Sequence, residues 1–330
     1  MDSTASALIL KEQGHDVAGV HMRLHLHEDG SLQAAQRAAH ELGIPLYQVD
    51  LSRDFQEHVV RFFIEEYTRA RTPSPCPLCN RFIKTTLLFQ YVRSLGYEQL
   101  ATGHYARIRG TREAPTLMRG ADRSKDQSYF LCMLSRESLS RTLFPVGEHT
   151  KKHVRDLLRE RGISAWRSAE SQELCFVPQG DYRAFLESHG VDDLPGNIVD
   201  SSGKVLGRHK GITGYTVGQR RGLGIAAAHP LYVLKLDPGS HTVVVGTKEE
   251  TMVSLFAASD WNFLVDVPPA VGDRFEVKVR STSAPAPCSV AALDDNSLTI
   301  RLDRPQSGVA PGQAAVLYSG SQVVGGGWIA

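Results

Sequence analysis

The apolar positions of the first hundred residues change period several times. In DSTASALILKEQG they recur at helical spacing: Ala5, Leu8, Ile9 and Leu10 share one side, Asp2 and Ser3 form an N-cap pair, and Gly14-His15 closes the helix. Asp16–Met22 reads as a buried strand. The helical SLQAAQRAAHELG, the strand PLYQVD and the amphipathic DFQEHVVRFFIEEYTRA follow. Then come the proline-rich turn RTPSPCP, the helix CNRFIKTTLLFQYVRSLG and the strand QLATG. Strands spaced by helices of this length predict an α/β domain built on a doubly wound parallel sheet. Residues 136–163 also predict helix, from SRESLSRTLF and KKHVRDLLRERG.

From about residue 195 the texture changes to glycine, valine and short alternating runs, among them GYTVGQRRGLGI, LYVLKLD and HTVVVGT. From about 250 it is all-β, with RFEVKVR, CSVAAL, SLTIRLD, QAAVLY and VVGGGWIA separated by turn residues. Three units are expected: 1–178, 179–248 (small and mixed) and 249–330 (a β-barrel or sandwich).

Composition narrows the partners. The 330 residues carry 37 lysines and arginines against 36 aspartates and glutamates, a formal charge of +1, so a nucleic acid has to be held by a local basic surface. The hydrophobic fraction of 42% and charged fraction of 22% are those of a soluble globular protein. No apolar run reaches a membrane span, and no signal peptide opens the chain. Five cysteines, an odd count without export signals, point to a reducing cytoplasm and to reactive thiols or a metal.

TPSPCPLCNRFIK places Cys76 and Cys79 at the mouth of a helix, where unpaired N–H groups, Arg81 and Lys84 favour thiolates. Half of a zinc site or two structural thiols are the alternatives, although no second CxxC or HxxxH supplies further ligands. In ESQELCFV, Cys175 sits in a short apolar run of the kind that usually packs in a core, and Cys132 and Cys288 read as packing residues. Gly103 and His104 lie just beyond the strand QLAT, where an open parallel sheet binds ligands. Lys125, Asp126 and Gln127 share a loop ahead of a helix. Tyr215, Gln219, Arg220 and Arg221 share a glycine-rich segment that is either an anion or RNA contact or a tight turn.

Taken in order, TPSPCPLCNRFIK, LATGHYARI, SKDQSYFL, ESQELCFV, GYTVGQRRGLGI and SGVAPGQAAVLYSGSQVVGGGWI resemble the bacterial tRNA 2-thiouridylases (the MnmA family), from Asp2 to the C-terminus. The resemblance implies an adenine nucleotide α-hydrolase-like α/β domain, a small central domain and a C-terminal β-barrel that touches tRNA. It implies a sulfurtransferase that uses ATP, with Mg2+, to adenylate O2 of the wobble uridine in the tRNAs for Lys, Glu and Gln. Sulfur then reaches C2 from a cysteine persulfide.

By the same resemblance Cys175 holds the persulfide, supplied by a cysteine desulfurase or a relay protein, and Cys79 is the second catalytic thiol. Cys79 either frees sulfide from the persulfide or closes a transient disulfide, with movement of the ESQELCFV loop. Ser74, Pro75 and Cys76 frame the flipped base. Lys125, Asp126, Gln127, His104, Arg280, Ser281 and Gln313 touch the tRNA, and Met22 and Gly103 the adenine side of the nucleotide. Three positions depart from the family pattern. Cys76 replaces an acidic residue, Ser281-Thr282 a Tyr-Arg pair, and Thr85 a phenylalanine, the last expected to alter packing only.

The family's phosphate loop reads SGGVDS, and here Asp2 and Ser3 alone represent it, after Met1. Two origins fit: a start assigned at a GTG codon for the loop's valine, or a real truncation leaving a tRNA-binding remnant that cannot adenylate. The coherent downstream pattern favours the first. The chain as written is expected to be less stable and weak in ATP hydrolysis.

Overall fold

The apolar side of the first helix is buried as its spacing requires. Ala5, Leu8 and Ile9 of the helix Asp2–Glu12 pack with Leu42, Tyr105, Val154 and Leu158 in one cluster. The computed structural model describes residues 1–24, 30–168, 174–191 and 193–330, so the Glu170–Glu173 part of ESQELCFV lies outside the described residues. The chain divides into two compact units. One comprises Met1–Val59, Cys76–Gln172 and Ser321–Val324; the other comprises Val60–Pro75, Glu173–Gly320 and Gly325–Ala330.

In the first unit the strand Gly19–Arg23 pairs in parallel with Leu46–Asp50, the helix Ser31–Leu42 joining them. A second parallel pair joins Leu100–Ala101 to Thr142–Leu143. The expected parallel strands are therefore present as two pairs among the described residues. The first helix opens differently from expectation. Met1 takes the cap position and Asp2 lies in the first turn, its carboxylate making no cap bond.

The region 136–163 is not one helix. It runs as the helix Arg136–Ser140, the strand Thr142–Leu143, the single turn Pro145–Glu148 and the helix Lys151–Glu160. Pro145 supplies no N–H and steers Phe144 out of the helical region. Thr150 then caps a new helix by accepting from His153 N at 3.2 Å.

An antiparallel hairpin, Ala106–Gly110 with Pro115–Arg119, was not anticipated. Its alternation is masked by Arg107 and Arg109, both of which face Glu148. The helix after RTPSPCP is present as Cys76–Leu78, a wide π-helical stretch Cys79–Leu88 and Phe89–Ser94. Thr85 does more than pack: its hydroxyl donates to Asn80 O at 2.9 Å, five residues back, which suits the wide turn.

In the second unit a four-stranded sheet runs in the order Val205–His209, Gly196–Asp200, Thr242–Gly246, Tyr232–Asp237, with its central pair parallel. The strands from Val253–Phe263 to Gln322–Ile329 form the C-terminal barrel, closed where Ala258 pairs with Ile329 and Phe263 with Gly325. Among the described residues no helix is long and apolar enough to cross a membrane.

Candidate functional site

Two of the expected nucleotide positions meet across a hundred residues of chain. A Cβ on Gly103 would lie 2.6 Å from both Asp2 C and Ser3 N, so only glycine lets the end of the strand Leu100–Ala101 reach the start of the first helix. Ser6 Oγ donates to Thr102 O at 3.2 Å and fastens the same approach. Asp2 is held from the other side. Lys151 Nζ donates to both carboxylate oxygens and Tyr105 Oη donates to Oδ1 at 3.1 Å, with the Lys151 ammonium 5.3 Å from the Tyr105 ring centre. Met22 stands opposite Val49 in the first parallel pair.

This corner suits a nucleotide. The first N–H groups of a helix have no partner within it, and the helix start carries partial positive charge, while Lys151 offsets the negative charge of Asp2. Asp2 does not suit Mg2+, because a lysine ammonium occupies both of its oxygens.

Beside it, His104 Nδ1 lies 2.8 Å from Thr102 Oγ1, and its ring meets Phe144 edge-on at 5.9 Å. Burial, aided by the charge of Lys84, holds its pKa well below the ordinary imidazole value, so the ring is neutral at neutral pH. Gln127 and Tyr105 exchange bonds: Tyr105 N donates to Gln127 Oε1 and Gln127 N to Tyr105 O, both at 2.9 Å. Asp126 Oδ1 accepts from Gly120 N at 3.0 Å and Ser128 N at 3.1 Å. Two of the three residues of this loop expected to touch RNA, Asp126 and Gln127, thus direct their side chains to shaping the loop, and Lys125 is half-buried.

Cys76 opens its helix half-buried, and Cys79 is buried one turn on. Asn80 Nδ2 donates to Phe130 O at 2.8 Å and pins that turn. Cys175 is exposed, against the expectation that its apolar run packs in a core. The reason is local: Phe176 and Val177 take the buried places. Phe176 meets Phe63 edge-on at 5.2 Å and Phe185 at 5.4 Å, leaving the preceding thiol on the surface. Cys132 and Cys288 are buried, and burial pushes each thiol up to about 12, which removes them from thiolate chemistry.

In the second unit Ser74 and Pro75 are buried. Gln313 Nε2 donates to Thr72 O at 2.8 Å, while Thr72 N donates to Pro311 O at 2.9 Å, so Gln313 fixes the segment leading into Ser74. Arg280 also turns inward, donating from Nε to Gly308 O at 2.8 Å and from Nη2 to Val217 O at 2.6 Å. Ser281 O accepts from Lys278 Nζ at 2.7 Å. Sequence reasoning missed Lys151 and Tyr105. The available signal was the Thr150-Lys151 start of KKHVRDLL, which places a lysine in the first turn of a helix, where the dipole disfavours it.

Family models match nearly the whole chain. Residues 1–179 match one described as the tRNA methyl transferase HUP domain, 183–247 the tRNA methyl transferase PRC-barrel domain and 253–329 the aminomethyltransferase β-barrel domain. Over 343 residues the chain is 43% identical to the tRNA-specific 2-thiouridylase MnmA of Chloroflexus aggregans, covering 100% of this chain and 96% of that protein. It is 44% identical over 339 residues to the protein of the same name from Syntrophotalea carbinolica, with 100% and 96% covered. For that of Geobacter metallireducens the figures are 43% over 346 residues, 100% and 94%.

Proposed function

The chain belongs to the tRNA-specific 2-thiouridylase (MnmA) family, and on that premise we propose that it replaces O2 of the wobble uridine in tRNA with sulfur. One observation carries this reading. Of the five cysteines Cys175 alone is exposed, and it is presented by neighbours anchored in a core. A sulfur carrier has to be reachable by both a donor and a large RNA.

Asp2, Ser3, Met22 and Gly103 hold the nucleotide. ATP supplies the adenylyl group that makes the uridine oxygen a leaving group. Cys175 carries the terminal sulfur, received from a cysteine desulfurase or relay protein. Cys79 either attacks Cys175 Sγ and expels sulfide onto C2, or attacks it after the persulfide has bonded to C2. Either order leaves a disulfide between the two thiols, which a thiol reductant resets. Ser74, Pro75 and Cys76 frame the base. Gln313, Asp126 and Gln127 shape the loops that meet the tRNA, and Lys125, His104 and Ser281 complete that surface. The tRNAs for Lys, Glu and Gln, and a cytoplasmic setting, follow from the family reading.

The test is nucleoside mass spectrometry after incubation with unmodified tRNA, ATP and a persulfide donor. The expected product is a uridine carrying sulfur for oxygen, absent with Cys175→Ser although that variant still retains tRNA. In a parallel incubation with a methyl donor such as S-adenosylmethionine added, a methylated uridine would assign the chemistry named in the family models instead. Tight tRNA retention without AMP release would leave a binding protein only.

A further inference from the structure

Residues 201–236 hold six lysines and arginines, Lys204, Arg208, Lys210, Arg220, Arg221 and Lys235, and no aspartate or glutamate, in a chain of formal charge +1. Arg220 and Arg221 are exposed. They lie in the connection between Val205–His209 and Tyr232–Asp237, the two edge strands of the four-stranded sheet.

The backbone under the pair is fixed. Gly218 N donates to Val233 O at 2.8 Å and Val233 N to Gln219 O at 2.9 Å. The Gln219 side chain accepts from Thr216 N at 3.0 Å and donates to Arg221 O at 2.9 Å. Just beyond, Leu223 is buried with Ile198, Ile212 and Val233. Gly218, Gly222 and Gly224 take φ values of 85°, 76° and 68°, a backbone that favours glycine, and Gly222 leaves the C-terminal flank of the pair without a side chain. An open depression of about 420 Å³ adjoins Arg220, bordered by Gly222, Leu223, Ile225 and the exposed His229.

We propose that the connection 217–231 is a docking surface for RNA, with Arg220 and Arg221 donating to phosphodiester oxygens of the backbone. The proposal rests on the reading of tRNA as substrate and adds a binding element to it. Charge complementarity selects the occupant. A nearly neutral protein has to concentrate its positive charge to hold a polyanion, and this is such a concentration. The guanidinium fork matches two phosphate oxygens at once. A backbone already tied down loses little freedom on binding, and Gly222 beside Arg221 leaves room for a phosphate to approach.

The experiment is tRNA retention by the full chain across a potassium chloride series, with Arg220→Gln/Arg221→Gln and Arg220→Lys/Arg221→Lys beside the parent. Both side chains are exposed, so the unfolding midpoints should coincide. The glutamine pair is expected to raise Kd about tenfold or more near 0.1 M salt and to flatten the log–log salt slope by about 1.4–1.8, two phosphate contacts' worth. The lysine pair should restore most of the slope. An unchanged Kd and slope in the glutamine pair would overturn the proposal and turn the loop toward another partner, such as an acidic protein. A parent that retains no tRNA removes the functional reading first, and the proposal with it, before any variant is compared.

Discussion

Lys151 Nζ lies 2.8 and 2.7 Å from the two carboxylate oxygens of Asp2, 149 residues away in the chain. The pair sits at the start of the first helix with both side chains largely shielded from water. An unbalanced carboxylate there would repel a nucleotide's phosphates; the ammonium cancels it. Lys151→Met is therefore expected to weaken ATP binding at least tenfold and to cost about 1–3 kcal/mol of stability, since Asp2 keeps only its Tyr105 bond. Titration calorimetry and urea unfolding read the two effects separately. Unchanged ATP affinity in a folded variant would confine Lys151 to a structural part.

Gly103 meets the same helix start. A methyl group there would press to 2.6 Å on the Asp2–Ser3 backbone, which has no flexible side-chain end to move aside. Gly103→Ala is expected to cost about 1–3 kcal/mol and to lower ATP affinity more than tRNA affinity. A variant as stable as the parent would show that the approach can relax.

His104 gives the protein a pH signature. Its folded pKa is held well below 6.5, by burial first and by Lys84 second, so the unfolded chain binds the proton more readily. Stability from this group is complete above about pH 6.5 and falls as the pH drops from there toward the folded pKa, by at most about 1.4 kcal/mol per pH unit. Urea unfolding between pH 7.5 and 5, as about the usable range, should show that decline in the parent and a flatter line in His104→Gln. Equal slopes would mean that other groups dominate.

The thiols should separate by reactivity. Cys175 is exposed, Cys76 half-buried and Cys79 buried, while Cys132 and Cys288 are both buried with pKa values pushed up to about 12. Timed alkylation of the native protein near neutral pH, followed by peptide mapping, should modify Cys175 first. Cys132 and Cys288 should react only after denaturation. Early labelling of Cys132 would contradict the buried placement.

Local pattern revealed the parallel α/β beginning and the all-β end, because periodicity of three to four residues or of two is written into short windows. The Ala5–Leu8–Ile9 face and the strand Leu46–Asp50 are of this kind. Close approaches between distant segments leave no such mark. Gly103 was placed by its position beyond the strand QLAT and by family likeness, but its close contact with Asp2 and Ser3 emerges only in three dimensions. Lys151 was missed because KKHVRDLL reads as a solvated amphipathic helix, although a lysine in the first turn runs against the helix dipole. The hairpin Ala106–Gly110 with Pro115–Arg119 escaped because its outward arginines depend on Glu148, which lies far along the chain. Cys175 misled in the opposite sense: its neighbours, not the thiol, are the core residues of LCFV.

Arg280 was expected to touch tRNA, but its guanidinium bridges two backbone carbonyls, Gly308 O at 2.8 Å and Val217 O at 2.6 Å. Val217 directly precedes the turn that carries Arg220 and Arg221, so Arg280 governs where those arginines stand. Charge and shape can be separated here. Lysine keeps the charge but has no planar fork to span both carbonyls. If bridging is what matters, Arg280→Lys and Arg280→Met should behave alike, each losing about 1–2 kcal/mol and each speeding hydrogen exchange at the Gly218 and Gln219 amides. If the charge itself binds RNA, Arg280→Lys should retain tRNA as the parent does, with the steep salt slope intact, and only Arg280→Met should lose it. Exchange mass spectrometry and the same salt series distinguish the two, and bridging is the expected outcome.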